Sequence, residues 1–346
     1  MAVKFTKPEI NIREKLSELD KPSGIAGEAM LRAETPQEQF NLISAGRKNI
    51  FLNGAFEVAQ RGVGPTTGVS GVPSTVDRWN IPLSGQTTQQ LTNDRVSYPS
   101  KMLKVTADTN GYGIIRQTLE NPATLSGGYA TLSFWAKTST ANAFRVEFQQ
   151  IFGTGGSGVV TIIDDADYWK VPNDEWNFYS ITVYLPSTIG KTVGTGSPGL
   201  SVLFGPTSGQ PNGNIVYYSE VQLEAGKVAT PFEHRSYGEE LALCQRYFEK
   251  LATNGDNDAN RYNGIAWATD NLNVFIPFQV AKRAAPTVTI SNNGEVFTGS
   301  WQTADGSSVT GTGLKGCTIS IQKASAYIVK YGYFIRNQTI TASAEL

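Results

Sequence analysis

The sequence is poor in the residues from which most metal and nucleophile sites are built. It has one histidine, His234, and two cysteines, Cys244 and Cys317, in 346 residues. Zinc draws three or four ligands from Cys and His, often as C-x-x-C pairs, and these residues show no such spacing. The thiols stand far apart, as free cysteines of a protein folded in a reducing cytoplasm do, although spacing leaves a disulfide between them open. An excess of one charge is lacking too, since 29 Lys+Arg against 30 Asp+Glu leaves a net charge of −1. A nucleic-acid partner would call for a basic face, so none is expected. No apolar run nears the ~20 residues of a membrane span, and membrane insertion is not expected either. MAVKFTKPEINIREKL lacks the apolar core of a secretory signal. The glycine-rich run GTGGSG, Gly153 to Gly158, has no following Gly-Lys-Ser/Thr, and no nucleophile elbow or H-E-x-x-H occurs.

What the chain has is turns and strands. The 35 Gly and 16 Pro punctuate short runs rich in β-branched and aromatic residues. From Asn49 to Ser236, KNIFLNGAFEV opens the pattern with an Asn53-Gly54 turn. YGIIRQTLE, YATLSFWAKTS, AFRVEFQQIFG, WNFYSITVYLPS, LSVLFGP and NIVYYSEVQLE follow. Seven or eight such strands predict a two-sheet sandwich. In FRVEFQ, Phe144, Val146 and Phe148 face one way and Arg145, Glu147 and Gln149 the other. In SEVQLEAGKVATPFEHRS, Val221 and Leu223 read as inward and Ser219, Gln222 and Glu224 as polar edge, with Phe232 closing the end of the sandwich. Residues 237–252 predict a linking helix, with Leu241, Cys244, Tyr247, Phe248 and Leu251 on one face. Residues 253–346 alternate again, around an Asn293-Gly294 hairpin, and predict a smaller β-domain.

Residues 1–48 differ from the rest. Ile12, Leu16 and Leu19 form a thin helical stripe, and Thr35, Pro36 and Glu38 make a capping-box start with Gly46 as stop. Helices with so little apolar surface are not stable alone, so this segment is expected to be an anchor ordered by a partner or by copies of itself.

NIFLNGAFEVAQRG, VDRWN, LSFWAK and WNFYSITVYLPS resemble jelly-roll carbohydrate-binding modules. VQLEAGKVATPFEHRSYGEELALCQRYFEK, with the trailing KRAAPTV and the closing ASAEL, resembles a module of tailed-bacteriophage fibre and minor structural proteins. The resemblance covers Asn49 to Leu346. It implies a mainly β fold: a jelly-roll β-sandwich plus a smaller C-terminal β-domain, behind an extended or helical N-terminal anchor. It further implies a non-enzymatic virion protein (fibre, spike or decoration subunit) assembled in the host cytoplasm. Such a protein would be a homotrimer, joined to other virion proteins through residues 1–48 and touching a host surface glycan. In those modules a structural Ca²⁺ ties the first strand to the last through oxygen ligands, and Glu57 and Glu220 match its positions. A single Glu220 stands where the modules carry two acidic residues. No other cofactor is implied.

For a glycan, Tyr168 and Trp169 in a polar loop offer stacking rings. Arg116, Gln117, Gln149 and Gln150 lie on strands that would line a concave face, whereas Trp135 and Trp176 read as core. His234 reads as a surface or junction residue. An alternative is a glycan-depolymerising spike. Paired carboxylates must flank one bond, and in TIIDDADYW only Asp165 and Asp167 share a strand face, since Asp164 and Asp165 point oppositely. A third reading is an architectural virion component with no ligand.

Overall fold

In a computed structural model the described residues are 47–71, 73, 75–82, 85–95, 100–107, 113–140, 142–164, 170–171, 175–206, 213–252 and 262–346. The anchor expected at residues 1–48 therefore lies outside them, except for Arg47 and Lys48.

The first eleven strands are β1 (Thr66–Thr67), β2 (Thr87–Thr92), β3 (Lys101–Thr106), β4 (Ile115–Leu119), β5 (Gly128–Thr138), β6 (Asn142–Ile151), β7 (Val160–Asp164), β8 (Lys170–Val171), β9 (Asn177–Leu185), β10 (Gly199–Pro206) and β11 (Ile215–Ala225). They build a mainly antiparallel jelly-roll sandwich. One sheet runs β1-β2-β3-β11-β5-β9 and the other β4-β10-β6-β7, with β8 also on β6. Alternation decides what each strand buries. In β9, Tyr179, Ile181, Val183 and Leu185 go inward while Phe178, Ser180, Thr182 and Tyr184 stay outside. Phe144, Val146 and Phe148 of β6 are buried, as their spacing predicts. Between the sheets Phe134 stacks on Phe144 and Tyr179, with centroids 6.1 and 5.5 Å apart. Full burial of each such side chain contributes about 1.5–3 kcal/mol.

The stretch NIFLNGAFEV turns at Gly54 as predicted but forms no regular strand. It is pinned instead to β11, where Ile50 N–H donates to Leu223 O and Val221 N–H to Gly54 O, at 2.8 and 2.9 Å. A Cβ on Gly54 would stand 2.2 Å from Val221 O, which only glycine avoids. Trp79 then closes this end, edge-on to Phe51 at 5.2 Å with its indole N–H on Asn53 O at 2.8 Å.

After the sandwich come α1 (Tyr237–Gln245), β12 (Phe248–Ala252), β13 (Tyr262–Ala268), β14 (Asn271–Pro277), β15 (Thr287–Ile290), β16 (Glu295–Phe297), β17 (Trp301–Thr303), β18 (Gly306–Gly313), β19 (Gly316–Gln322), β20 (Gly332–Arg336) and β21 (Thr339–Ser343). A seven-stranded sheet, β17-β16-β20-β13-β14-β19-β18, packs on a three-stranded one, β12-β21-β15. Leu251, Val274, Ile276, Ile319, Ile335 and Ile340 fill the space between. Both cysteines are free and buried, and burial pushes the Cys317 thiol up to about 11.

The helix predicted over 237–252 stops at Gln245. Residues 248–252 form a strand instead, with Phe248 opposite Ser343 and Leu251 opposite Ile340. The run YFEKL fits a helix face and a strand equally, and pairing with β21 overrides propensity. Tyr247, freed from the helix, donates to Glu120 at 2.6 Å, and the Arg78 guanidinium stands 3.5 Å from its ring centroid. Glu345, near the chain end, pairs with Arg78 and Arg61, which docks the C-terminal unit on the sandwich.

Candidate binding face

Ser219, Gln222 and Glu224, expected as polar edge, are all buried, because β11 lies in the middle of its sheet and residues 226–233 fold back over it. Glu224 accepts from the Thr230 N–H and hydroxyl at 2.9 and 2.7 Å, and Gln222 accepts from Glu233 N–H at 2.9 Å. Val221 and Leu223 do point into the core. Glu240 of α1 accepts from Asn53 N–H at 2.6 Å, and Arg235 donates to Phe51 O at 3.0 Å. These acids and this arginine clamp backbone. His234 is exposed, its ring edge-on to Phe232 at 5.0 Å.

The outer face of the smaller sheet is different. One row across it reads Arg116, Leu203, Glu147, Ile163, and the next Thr118, Ser201, Gln149, Thr161. At the usual spacing of strands each row is about 15 Å long. On β9 every outward residue after Asn177 is exposed, whereas on β4, β10 and β6 the outward residues are half-buried and Ser201 is only 1% exposed. This face is thus a largely polar floor, half-buried over β4, β10 and β6, with Leu203 within it and the exposed Thr161 and Ile163 at its β7 edge. Asn80 walls its β4 side, exchanging backbone hydrogen bonds with Arg116 at 3.0 and 2.8 Å and accepting from the Arg116 Nε–H at 2.9 Å. Burial pushes the Arg116 guanidinium below its ordinary value. Glu147 pairs with Arg145 at 2.7 Å and accepts from the Gln149 side chain.

Of the predicted residues, the structure brings Arg116 and Gln149 to this floor. Gln117 and Gln150 turn inward, since neighbours on a strand face opposite sides. Gln117 is fully buried, bridging Leu52 N–H and Leu52 O at 2.8 Å each, and Gln150 donates to Pro186 O at 2.9 Å. Tyr168, Trp169, Asp165 and Asp167 lie outside the described residues. Sequence reasoning set Arg145 on this face by alternation but missed Thr118 and Ser201. Alternation from the inward Ile115 and Val202 was the signal that finds them.

Trp135 and Trp176, expected in the core, sit on the outer face of the larger sheet, both half-buried. Trp135 meets the exposed Phe178 at 5.4 Å and carries Arg95 over its ring at 4.4 Å. Trp176 donates to Asp94 at 2.8 Å, and Lys137 lies 5.0 Å from its ring. These rings are finished by their own chain.

Glu57 and Glu220 do not fit the calcium pair that the resemblance implies. Arg95 ion-pairs with Glu220. Burial, then the neighbouring Glu240, raise the Glu57 carboxyl above the usual range, with His234 and Lys101 opposing. Among the described residues no group of three His, Cys, Asp or Glu comes together to hold a metal ion.

No family model and no curated protein matches the chain. Solved structures give remote matches. A putative sugar-binding protein from Bacteroides thetaiotaomicron is 18% identical over 52% of this chain and 100% of its own, with a TM-score of 0.33. A CBM22 xylan-binding domain from Paenibacillus barcinonensis is 14% identical over 43% and 92%, with a TM-score of 0.31. The enzymatically active domain of tailspike protein 4 from bacteriophage CBA120 is 18% identical over 51% of this chain and 21% of that one, with a TM-score of 0.30. At these scores the likenesses carry no functional argument, and the reading below rests on the site's own residues.

Proposed function

We propose that the chain binds a glycan on the largely polar outer floor of the smaller sheet and does not cleave it. The observation that carries this reading is the cluster of outward guanidinium, hydroxyl and amide groups on two neighbouring rows, the half-buried Arg116, Thr118 and Gln149 around the buried Ser201. Such groups, fixed on rigid strands, hydrogen-bond sugar hydroxyls without the loss of order that loop residues suffer. Glycoside cleavage needs two carboxylates across one bond, and the carboxylate described on the floor, Glu147, is held by Arg145 and Gln149. Residues 221–250 resemble phage fibre modules, which supports a surface role on a virion, with weak single contacts multiplied over many copies.

Titration of the full chain against a glycan array, followed by calorimetry on the best ligand, tests the reading. Arg116→Ala should weaken binding about tenfold, the equivalent of one charge-assisted hydrogen bond, and Gln149→Ala about fivefold, the equivalent of a neutral one. A flat array would make the protein architectural. Reducing ends released from host polysaccharide by the wild type, and abolished by Asp165→Asn, would make it a depolymerase.

A further inference from the structure

The outer floor of the smaller sheet holds an unmatched cation. A charge drawn partly out of water loses solvation that an opposite charge or a set of hydrogen bonds must restore. Of the arginines among the described residues, all but Arg116 and Arg283 pair with a carboxylate. Arg283 is satisfied by backbone instead, donating to Ala344 O at 2.7 Å and Glu345 O at 3.3 Å. Arg116 has neither. Its Nε–H goes to Asn80 Oδ1 at 2.9 Å, while its two Nη groups reach solvent and have no partner among the described residues.

The acids nearby are committed elsewhere. Glu147, on the same row, stands two strands away at about 10 Å, with Leu203 between, and is held by Arg145 and Gln149. Glu120, just after β4, accepts from Arg246 at 2.9 Å and from the Tyr247 hydroxyl at 2.6 Å. The hydrogen bond to Glu120 raises the Arg246 guanidinium, whereas burial acts alone on Arg116 and lowers it. A guanidinium keeps its proton all the same. Arg116 is therefore a permanent cation without a counter-charge.

That cation is also held in place. Backbone hydrogen bonds with Asn80, at 3.0 and 2.8 Å, fix the strand at Arg116, and the Asn80 side chain orients the guanidinium through Nε. Gly71 lies beside it, where a Cβ would come to 3.4 Å from Nη2. With Nε occupied, the two Nη present a fork of N–H bonds that matches two oxygens of one anionic group. The neighbouring groups are acceptors. Thr118, about 7 Å along the strand, donates to Ser201 Oγ at 3.3 Å, which leaves its oxygen to accept. Gln149 spends an amide N–H on Glu147 and keeps its carbonyl oxygen.

We propose that the glycan taken by this floor is acidic, with its anionic group (a ring carboxylate, or a sulfate or phosphate ester) seated on the Nη fork of Arg116 and adjacent hydroxyls donating to Thr118 and Gln149. This rests on the glycan reading above and narrows it to one class of sugar.

An array of matched oligosaccharide pairs tests it, each acidic member beside its neutral form: uronate beside carboxyl-reduced, sulfated beside desulfated, phosphorylated beside dephosphorylated. The full chain should bind the acidic member about tenfold or more tightly than the neutral one. The kind of pair that shows this preference identifies the acid. In calorimetry on the best pair, Arg116→Ala should cut the preference to about twofold and leave the neutral member's affinity within about threefold of wild type. Gln149→Ala should weaken both members alike and keep the preference. If Arg116→Ala impairs folding, judged by its far-ultraviolet spectrum, Arg116→Gln removes the charge while keeping a donor and serves the same comparison. Neutral members bound as tightly as acidic ones overturn the proposal and leave the glycan reading standing. So does a preference for the acid that survives the loss of the Arg116 charge. Binding to neither member of any pair overturns both.

Discussion

The sandwich and the C-terminal unit finish their outer surfaces in opposite ways. On the sandwich, Arg95 covers Trp135, Lys137 lies by Trp176 and Tyr217 at 5.0 and 4.9 Å, and Lys227 covers Tyr129 at 4.4 Å. Each cation shields a ring, and Arg95 and Lys137 also pair with Glu220 and Asp94. In the C-terminal unit the matching cation is inside. Lys282 is fully buried, with Nζ 2.6 Å from Glu249, 2.6 Å from Gln245 O and 4.8 Å from the Phe278 ring centroid. Of the unit's outer rings, Trp301 carries Arg336 at 4.1 Å, but Trp267, Phe275 and Phe334 are left open. An aromatic on a sheet surface is thus no signal by itself. What distinguishes a finished surface from an open one is whether the chain supplies the ring's partner.

The sharpest way to break this contrast is to remove the internal cation. Lys282→Ala leaves the Glu249 carboxylate, 1% exposed, without its counter-charge. Stranding one member of a buried pair costs about 3–5 kcal/mol, whereas replacing both members by apolar residues is close to neutral. Calorimetry should therefore show the C-terminal unit melting at least about 12 °C lower, with most of the loss regained in Lys282→Met/Glu249→Leu. A single variant that melts like wild type would mean that this lysine is not a buried tie.

Uncapping a ring on the sandwich should cost less. Arg95→Ala bares one face of Trp135 and leaves Glu220 without this partner, and both members of that ion pair are mostly buried. A partly desolvated cation over a ring and a partly exposed ion pair together are worth about 1–2 kcal/mol. Urea unfolding should show that loss in Arg95→Ala and a smaller one in Arg95→Lys, which keeps charge but not the planar stack. An unchanged midpoint in Arg95→Ala would erase the difference between capped and bare rings.

How much of this was legible depended on phase. The alternation in FRVEFQ separates core from floor correctly on β6, and the same period applied to Arg116-Gln117 separates a floor residue from a core residue. Trp135 misleads as a large aromatic in an apolar run, although the alternation of YATLSFWAK sets Ala130, Leu132, Phe134 and Ala136 inward and puts Trp135 on the side of Thr131, Ser133 and Lys137. On β11 the phase itself changes. Val216 and Tyr218 point inward, then Val221 and Leu223 do, across a bulge at which Glu220 takes φ +50. A bulge adds one residue and reverses every face after it, and no residue in SEVQ announces it. The strap over Gln222 and Glu224 was likewise illegible, because it depends on where residues 226–233 land. In the C-terminal sheet alternation was visible in YNGIAWA and NLNVFIP, but which face is covered is decided by the short sheet that packs on it.

The smallest expected effect lies at the seam between the two regions, at Asp77. Its fully buried carboxyl faces Arg61 at 3.1 Å, with Gln60, Glu345 and Cys244 nearby. Burial outweighs the Arg61 attraction and pushes it up to about 6. In the unfolded chain the same carboxyl returns to the ordinary aspartate value near 4. The folded state therefore holds this proton more tightly. Its contribution to stability is full below about pH 4 and is lost as pH rises through 6. Between pH 7 and 5 the gain is about 1 kcal/mol. Asp94 and Glu120, held low by Lys137 and Arg246, act in the opposite sense only at more acidic pH. The melting temperature measured relative to Asp77→Asn should thus rise on going from pH 7 to pH 5. Parallel profiles for the two proteins would mean that Arg61 holds the carboxylate charged, and the seam would then be an ordinary ion pair like those that cap the sandwich.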